Sequence, residues 1–248
     1  MNVQQASISG LISSARESGK TLLSVLVDPD KAKPSHLDGL LRETAHLADL
    51  YFIGGSLLTA DALDQTIDYL KARIATPCVL FPGSAVQLSA KADGLLLLSL
   101  ISGRNPDLLI GQHVVAAPRI KQIGLEVLPV GYMLIDGGRP TTATYISHTL
   151  PIPANKPEIA ACTAMAGEML GLRYIYLDAG SGADQVVSAE MIQAVRENCS
   201  LPIIVGGGIR NPKQAAIVAR AGADVVVVGN ALESEPGLAT ELKAALVK

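Results

Sequence analysis

The sequence predicts an α/β fold, namely a single-domain (β/α)8 TIM barrel over residues 1–248. Eight short apolar runs alternate with amphipathic, helix-like segments along the whole chain. The runs are apolar on consecutive residues, which is typical of parallel strands covered on both faces. No composition break marks a domain boundary, and with 49% hydrophobic residues the chain can bury a sizeable core. A doubly wound open sheet is the alternative fold.

The eight apolar runs are the predicted strands. Aromatic residues make up only 3% of the chain and Trp is absent, so we expect a barrel interior of aliphatic residues. The predicted strands are residues 22–27, 50–53, 78–81, 94–98, 127–135, 174–177, 203–205 and 225–228.

Amphipathic segments between the strands are the predicted helices. Asn211 and Pro212 supply an N-cap and a first-turn proline for one helix, and Gly222 ends it. Residues 83–92 are short and weakly patterned, so a helix after the third strand is the least supported element. The predicted helices are residues 35–48, 62–74, 105–122, 157–170, 189–198, 212–221 and 233–247.

The connection at residues 136–156 is unusually long. Loops of about 20 residues in compact domains are usually lids or binding loops. Because it follows the fifth strand, it leaves the barrel at the face where active sites of this fold lie. We therefore expect it to border the site, although decoration of the rim is an alternative.

Composition excludes several classes of function. A formal net charge of −3 argues against a nucleic-acid partner. Residues 1–20 lack the apolar run of a signal peptide, and no stretch is long enough to be a transmembrane segment. The three cysteines are isolated, which indicates a reducing compartment. We expect a soluble, cytoplasmic protein without a zinc site.

Three glycine-bearing tracts, at residues 176–182, 206–209 and 229–230, each follow a predicted strand. Glycine lets backbone N–H groups approach an anion closely, and a helix beginning just afterwards turns its positive end toward that anion. Loops after the last strands of a (β/α)8 barrel commonly bind phosphate. The tracts predict a phosphorylated small molecule as ligand, with tight strand-to-helix turns as the alternative.

Polar residues follow three other strands at the same end of the barrel: Asp28, Ser56 and Arg104. A carboxylate at this position can bind Mg²⁺, which takes one or two protein oxygens together with phosphate and water oxygens. The Ser56 hydroxyl is the second candidate ligand. Helix capping by Asp28 and Ser56 is an equally good interpretation of the spacing.

Tyr176 and Asp178 end the sixth strand within the phosphate region. Side chains two residues apart on a strand share a face, so both can reach one ligand. A carboxylate there suits the hydroxyl groups of a phosphorylated carbon skeleton and can accept a proton from one of them. The alternative is that Asp178 caps a helix and Tyr176 fills the barrel.

Five sequence blocks resemble the geranylgeranylglyceryl phosphate synthases, a family that includes the bacterial heptaprenylglyceryl phosphate synthases, or PcrB. The blocks occur in family order over nearly the whole chain. GGGI and GN also occur in neighbouring barrel families, whereas the combination of DPDK, GGS and YLDAGSG is specific. The blocks are VDPDK at 27–31, IGGS at 53–56, YLDAGSG at 176–182, GGGIR at 206–210 and VGN at 228–230.

The resemblance implies a Mg²⁺-dependent prenyltransferase of membrane ether-lipid biosynthesis. Such an enzyme joins a polyprenyl diphosphate, here most readily geranylgeranyl diphosphate, to the C3 hydroxyl of sn-glycerol 1-phosphate and releases diphosphate. It implies that Asp28 and Ser56 hold Mg²⁺. It also implies a glycerol 1-phosphate site made of Tyr176, Leu177, Asp178, Ala179, Gly180, Ser181, Gly182, Gly207, Gly208, Gly229 and Asn230.

We predict catalytic roles for three residues on this basis. Arg104, with Lys31 and the metal, stabilises the leaving diphosphate, while the acceptor hydroxyl lies near Asp178 and Tyr176. Some relatives carry a lysine two residues before the metal-binding aspartate, where this chain has Leu26, and Arg210 is the candidate replacement. Residues 95–98 with Leu100 and Ile101 are candidates for the prenyl trough.

Two other functions remain open from the sequence. One is a phosphosugar isomerase or lyase of the same fold, with Asp28 and Asp178 as acid and base. The other is a non-catalytic sensor of a phosphorylated metabolite. The apolar stretch at residues 108–115 predicts a homodimer, and product release through a peripheral membrane contact is expected.

Overall fold

The computed structural model describes residues 7–247 and closes eight parallel strands into a barrel. Each strand pairs with the next, and β8 pairs with β1. This confirms the predicted TIM barrel and excludes the open sheet; residues 1–6 and 248 lie outside the described residues. The strands are β1 (Leu22–Val27), β2 (Leu50–Ile53), β3 (Cys78–Leu80), β4 (Gly94–Leu100), β5 (Glu126–Leu134), β6 (Tyr174–Asp178), β7 (Ile203–Gly206) and β8 (Val225–Val228).

Most of the helices form the outer layer, and the helix predicted from Asn211 and Pro212 begins at the expected residue. Asn211 accepts a hydrogen bond from the Gln214 amide, and Ser188 accepts one from the Met191 amide. The helices are α1 (Ile8–Glu17), α2 (Pro34–Thr44), α3 (Leu63–Lys71), α4 (Gln112–Ile123), α5 (Thr142–Ser147), α6 (Pro157–Met169), α7 (Ala189–Asn198), α8 (Pro212–Ala221), α9 (Asn230–Ser234) and α10 (Ala239–Ala245).

Helix α1 was not predicted, and it forms the floor of the barrel. Ile8 and Ile12 are buried among side chains that fill the barrel interior. At its start, the Glu126 carboxylate accepts hydrogen bonds from the amides of Ile8 and Ser9, both at 2.8 Å. A carboxylate at a helix N-terminus also interacts favourably with the helix dipole. The local signals of this helix were present but missed: Ser7 is its N-cap, and its buried apolar residues recur at helical spacing.

Four other segments differ from the sequence prediction, and the first is the long connection after β5, which contains the short helix α5. Residues 82–93, between β3 and β4, contain turns and no helix. A π-helical turn, Asp107–Gly111, precedes α4. The predicted C-terminal helix is interrupted at Pro236, where a short 3₁₀ turn separates α9 from α10 because proline cannot continue the preceding hydrogen-bond pattern.

Strand register brings the predicted site residues to one rim. Asp178 of β6 is level with Gly206 of β7, and Val27 of β1 is level with Ile53 of β2. Each of these residues ends its strand or immediately precedes a polar loop. Because all strands are parallel, these loops meet at the carboxyl-terminal end of the barrel, opposite the α1 floor.

Candidate functional site

A cavity of about 430 Å³ opens at the carboxyl-terminal rim. Most of the predicted site residues line it, and loops after β1, β2, β6, β7 and β8 contribute them. The predicted residues in its lining are Asp28, Ser56, Tyr176, Asp178, Ser181, Gly182, Gly207, Gly208, Gly229 and Asn230.

Four predicted residues do not line the cavity. Leu177 and Ala179 are buried in the layer between the barrel and its helices. The Gly180 amide points to the neighbouring carboxylate of Asp178. Arg104 is exposed, and its guanidinium donates to the carbonyls of Ile101 and Gly103 at 3.3 and 2.7 Å. The structure therefore does not bring Arg104 to the cavity, because these carbonyls hold its side chain on the loop.

Unpartnered backbone amides cluster on one side of the cavity. Within residues 7–247, the N–H groups of Ser181, Gly182, Gly207 and Gly208 have no protein acceptor. The first two amides of α9 are also unpaired, as is usual at a helix N-terminus. Together these donors form an anion site of the kind that binds phosphate.

Gly207 shows why glycine is required in this loop. Its φ is +85°, and a Cβ atom built on it would lie 2.5 Å from the Gly180 nitrogen and 2.7 Å from Asp178 Oδ1. A side chain would therefore push apart the loops after β6 and β7. A separate contact links the loops after β6 and β8, since Nδ2 of the Asn230 side chain donates to the Ser181 hydroxyl at 3.2 Å.

Asp178 is the buried carboxylate of the site. The Tyr132 hydroxyl donates to its Oδ2 at 2.5 Å, and the Gly180 amide donates to its Oδ1 at 2.7 Å. Burial raises the pKa of Asp178, and the hydrogen bonds from Tyr132 and Gly180 oppose that rise. A carboxylate with a raised pKa is suited to accept a proton. Asp178 caps no helix, because Ser188 is the N-cap of the helix that follows β6, so the interpretation of Asp178 as a helix cap is wrong.

Aromatic rings line the centre of the cavity. Tyr176 stacks on Phe81 with ring centroids 5.2 Å apart, and Tyr132 meets the Tyr176 ring edge-on at 5.4 Å. Tyr176 thus fills the barrel and also lines the cavity. Sequence reasoning missed Phe81 and Tyr132. Alternation along β5, which places Val130 and Tyr132 on the inner face, could have identified Tyr132.

Asp28 lies at the edge of the cavity with a cation beside it. Its Oδ1 accepts from the Asp30 amide at 3.1 Å, so it caps the short 3₁₀ turn, as the alternative interpretation proposed. Its Oδ2 is 3.3 Å from the Lys31 ammonium, which also lies 3.5 Å from Glu233. Burial alone would lower the pKa of Lys31, but these carboxylates outweigh it and raise that pKa.

The donor set around Asp28 fits Mg²⁺. Asp28 Oδ1 lies 3.7 Å from the position that a Cβ atom on Gly55 would take, so the loop that carries Ser56 runs close to the Asp28 carboxylate. Ser56 caps no helix, because α3 begins at Leu63 and its N-cap is Ala62. The described residues contain no cluster of three acidic, histidine or cysteine ligands. Mg²⁺ in phosphate sites commonly uses one or two protein oxygens, so Asp28 and Ser56 suffice.

The other side of the cavity is apolar. Leu98 faces the barrel interior, whereas Leu95 and Leu97 pack on the outer layer of β4, and all three line the cavity. The cavity therefore extends over the end of the short strand β3, where no helix follows, to the space between β4 and α4. Ala116 and Ile120 of α4 bound that end.

Some of the residues predicted for the prenyl trough line this cavity, and the trough itself stays a prediction. Leu95, Leu97, Leu98 and Leu100 line the cavity, but Leu96 is buried in the barrel interior and Ile101 packs elsewhere. His113 also lines it, with Nε2 2.8 Å from the Leu98 carbonyl oxygen.

The long connection after β5 borders the same space. Thr142, Ala143, Ile146 and Ser147 of α5 line the cavity, in agreement with the expected binding loop. Leu26, which stands where some relatives carry lysine, faces the polar side next to Gly229. Arg210 lines the cavity, but its guanidinium donates to the Ala183 carbonyl at 2.5 Å.

A closed parallel barrel whose carboxyl-terminal rim holds unpartnered backbone amides beside an apolar cavity lining defines the class of TIM-barrel proteins to which this chain belongs. The chain belongs to the PcrB family, whose model matches residues 18–247.

Named relatives and solved structures agree with this assignment. The chain is 52% identical, over 91% of each chain, to a geranylgeranylglyceryl phosphate synthase of Spirosoma linguale. It is 40% identical to one of Pyrococcus furiosus over 87% of this chain and 86% of that protein. The crystal structure of (S)-3-O-geranylgeranylglyceryl phosphate synthase from Thermoplasma acidophilum, in complex with its substrate sn-glycerol-1-phosphate, has a TM-score of 0.89 at 28% identity, covering 97% of this chain and 98% of that one.

Proposed function

We propose that this protein is a Mg²⁺-dependent prenyltransferase that joins a polyprenyl diphosphate to the C3 hydroxyl of sn-glycerol 1-phosphate and releases diphosphate. The observation that carries the proposal is one cavity with an amide-lined end and an apolar end. The names of the relatives and the substrate bound to the Thermoplasma acidophilum enzyme support the same reaction.

The acceptor substrate binds at the polar end. The unpartnered amides of Gly207, Gly208 and the start of α9 hold its phosphate, and Ser181 and Asn230 complete the cradle. This position leaves the glycerol hydroxyls facing Tyr176 and Asp178, which share the inner face of β6. Binding the phosphate by backbone amides fixes the orientation of the molecule.

The diphosphate of the donor binds between the two ends. Asp28 and Ser56 hold Mg²⁺, which stabilises the negative charge that develops on the leaving group. Lys31 adds a second positive charge at the same place. We assign Arg104 no role in stabilising the diphosphate, because its guanidinium is held on the loop after β4.

The new ether bond forms next to Asp178. The bond between the allylic carbon and the diphosphate breaks, the glycerol oxygen bonds to that carbon, and the hydroxyl proton passes to Asp178. Tyr132 orients the carboxylate through its hydrogen bond to Oδ2. The faces of Phe81, Tyr132 and Tyr176 stabilise positive charge on the allylic group by cation–π interaction.

The prenyl tail occupies the apolar end, between β4 and α4. Each buried methylene contributes about 0.8 kcal/mol, so this end supplies a large share of donor affinity. Geranylgeranyl diphosphate is the proposed donor, in line with the names of the relatives. We place the reaction in ether-lipid biosynthesis in the cytoplasm, with a peripheral membrane contact for the product.

A homodimer is the proposed assembly. Ile110, Val114 and Val115, on and next to α4, are each more than half exposed, so this helix has an uncovered apolar face.

Among the described residues, no helix has the length and hydropathy of a transmembrane segment.

The test incubates the protein with sn-glycerol 1-phosphate, Mg²⁺ and prenyl diphosphates of several lengths, followed by mass spectrometry. We expect an ether product, largest with geranylgeranyl diphosphate, and little product with sn-glycerol 3-phosphate or with a chelator. No ether product with any donor would contradict the proposal. Metal-independent turnover of a phosphosugar would instead favour the isomerase alternative.

A further inference from the structure

Lys31 lies between two carboxylates that come from distant parts of the chain. Its ammonium is 3.3 Å from Asp28 Oδ2 and 3.5 Å from Glu233 Oε2, and all three residues line the cavity. Asp28 follows β1, whereas Glu233 belongs to α9, whose first amides face the proposed phosphate. The three charges therefore connect the proposed metal position to the acceptor site.

The two ion pairs are easily exchanged. The Lys31 side chain is 55% exposed, and ion pairs of exposed side chains contribute little to stability. Asp28 and Glu233 are less exposed than the lysine, at 27% and 24%, and are held in place by the 3₁₀ turn and by α9. The lysine is thus the mobile member of the group.

We propose that Lys31 is a resident counter-ion that a divalent cation replaces, and that Glu233 is the second carboxylate that attracts this cation. The displaced ammonium then turns to the diphosphate of the donor. The inference rests on the proposed metal site at Asp28, and it adds Glu233 and an exchange of cations to that site.

The exchange of cations reverses the sign of the net charge at this part of the cavity. Asp28, Glu233 and Lys31 together carry one net negative charge, which disfavours a diphosphate. A bound divalent cation changes this to one net positive charge, which favours it. Asp28, Glu233 and Lys31 therefore favour diphosphate binding only after the metal has bound, and this order requires no change in the fold.

Mn²⁺ binding, measured by electron paramagnetic resonance on the full chain without substrates, tests the exchange. In Lys31→Met the competing ammonium is absent, so we expect Mn²⁺ to bind about three- to tenfold more tightly. Lys33→Met is the matched control: it removes the same charge two residues away, outside the cavity lining, and is expected to change binding less than about twofold. An equal effect of both variants, or no effect of Lys31→Met, would overturn the counter-ion role.

Two further variants separate this inference from the proposed function. Glu233→Gln is expected to weaken Mn²⁺ binding by about threefold or more, and unchanged binding would remove Glu233 from the site. Asp28→Asn is expected to abolish binding. Wild-type affinity in Asp28→Asn, or no Mn²⁺ binding by any of the proteins, would contradict the metal site itself and not only the exchange.

Inorganic diphosphate provides the readout for the displaced ammonium. Titrated into the Mn²⁺-loaded protein by calorimetry, it is expected to bind about tenfold more weakly to Lys31→Met than to the wild type. Lys33→Met should bind it as the wild type does. Equal diphosphate affinity in all three proteins would contradict the second half of the exchange.

Discussion

The two ends of the cavity are built in different ways. The end formed by the loops after β6, β7 and β8 presents backbone amides, and it depends on glycine conformations such as that of Gly207. The end between β4 and α4 presents leucine side chains, and it exists because no helix follows β3 in the described chain. One end is therefore sensitive to backbone geometry and the other to side-chain volume.

This difference suits the two substrates that we propose, one a small polar molecule and the other a hydrocarbon. Amide donors require a fixed backbone, which the closed barrel and the contact between Ser181 and Asn230 provide. A tail requires only space and apolar contact. Changes at one end should leave binding at the other end largely unaltered, and the following predictions test this separation.

Asp178→Asn should have the largest effect, because Asp178 is the proton acceptor that we propose between the two ends. The side chain keeps its size, but it can no longer accept a proton. We expect the rate constant for turnover to fall by about 10²- to 10⁴-fold, with little change in the affinity for glycerol 1-phosphate. Asp184→Asn, at an exposed aspartate outside the cavity, is the control and should keep full activity.

The pH profile sharpens the same prediction. Because burial raises the pKa of Asp178, turnover by the wild type should fall as pH decreases through that raised pKa, since the proton-accepting form is lost. This acidic limb should be absent from the residual activity of Asp178→Asn. An identical limb in both proteins would assign the proton transfer to another group.

Gly207→Ala should have the second largest effect, a weaker affinity for glycerol 1-phosphate at the polar end of the cavity. The added Cβ meets the Gly180 nitrogen and Asp178, and φ is positive, so the amides move out of position. We expect the KM for glycerol 1-phosphate to rise by about 10- to 100-fold, or by about 1.4 to 2.8 kcal/mol, while donor binding changes little. Gly39→Ala, where a Cβ meets no atom within 4 Å, should behave as the wild type. Equal changes for both substrates would break the separation.

Ala116→Leu should have a smaller effect, at the apolar end. Ala116 is buried and lines the cavity, so a leucine there occupies tail space. We expect kcat/KM for geranylgeranyl diphosphate to fall by about tenfold and that for a shorter prenyl diphosphate to fall less than twofold, because lost methylene contacts are worth about 0.8 kcal/mol each. Ala166→Leu, on the exposed side of α6, is the matched control. A loss that is the same for every tail length would place the tail elsewhere.

Glu126→Gln should leave both ends unaffected and alter stability alone. Burial by itself would raise the pKa of Glu126, but the hydrogen bonds from Ser9 and Ile8 outweigh it and lower that pKa. The ionised form thus stabilises the fold above the unfolded-state pKa, and this contribution is lost as pH falls through the lower folded-state pKa. We expect Glu126→Gln to lower the free energy of unfolding, measured with denaturant, by about 1–2 kcal/mol at neutral pH and to leave it unchanged in strong acid.

Glu17→Gln, on the exposed side of α1, whose first amides donate to Glu126, is the comparison for that measurement. Its free energy of unfolding should lie within about 0.5 kcal/mol of the wild type at all pH values. A comparable loss in both variants, or a loss of activity in Glu126→Gln at full stability, would contradict a purely structural role for the barrel floor.

The sequence predicted the strands more accurately than it predicted the chemistry between them. The bounds of β1, β2 and β8 agree with the prediction because each is a short apolar run with clear ends. The bounds of α7 and α8 agree because Ser188 and Asn211 are N-caps whose effect is local. Helix α1 also has local signals, namely the Ser7 N-cap and buried apolar residues at helical spacing, and the sequence prediction missed them.

The polar end was likewise more predictable than the apolar end. Glycine tracts after strands are local signals, and Gly207 and Gly208 lie where the pattern placed them. The contact between the rings of Phe81 and Tyr132 and the position of Glu233 beside Lys31 arise from packing between segments that are distant in sequence. Spacing along the chain carries no information about such contacts.

A crystal structure of the protein with sn-glycerol 1-phosphate, Mg²⁺ and a non-hydrolysable prenyl diphosphate would test the division of the cavity most directly. We expect the monoester phosphate on the amides of Gly207 and Gly208, the diphosphate beside Asp28, and the tail between β4 and α4. A phosphate bound away from those amides, or a tail on the outer surface of the barrel, would contradict that division.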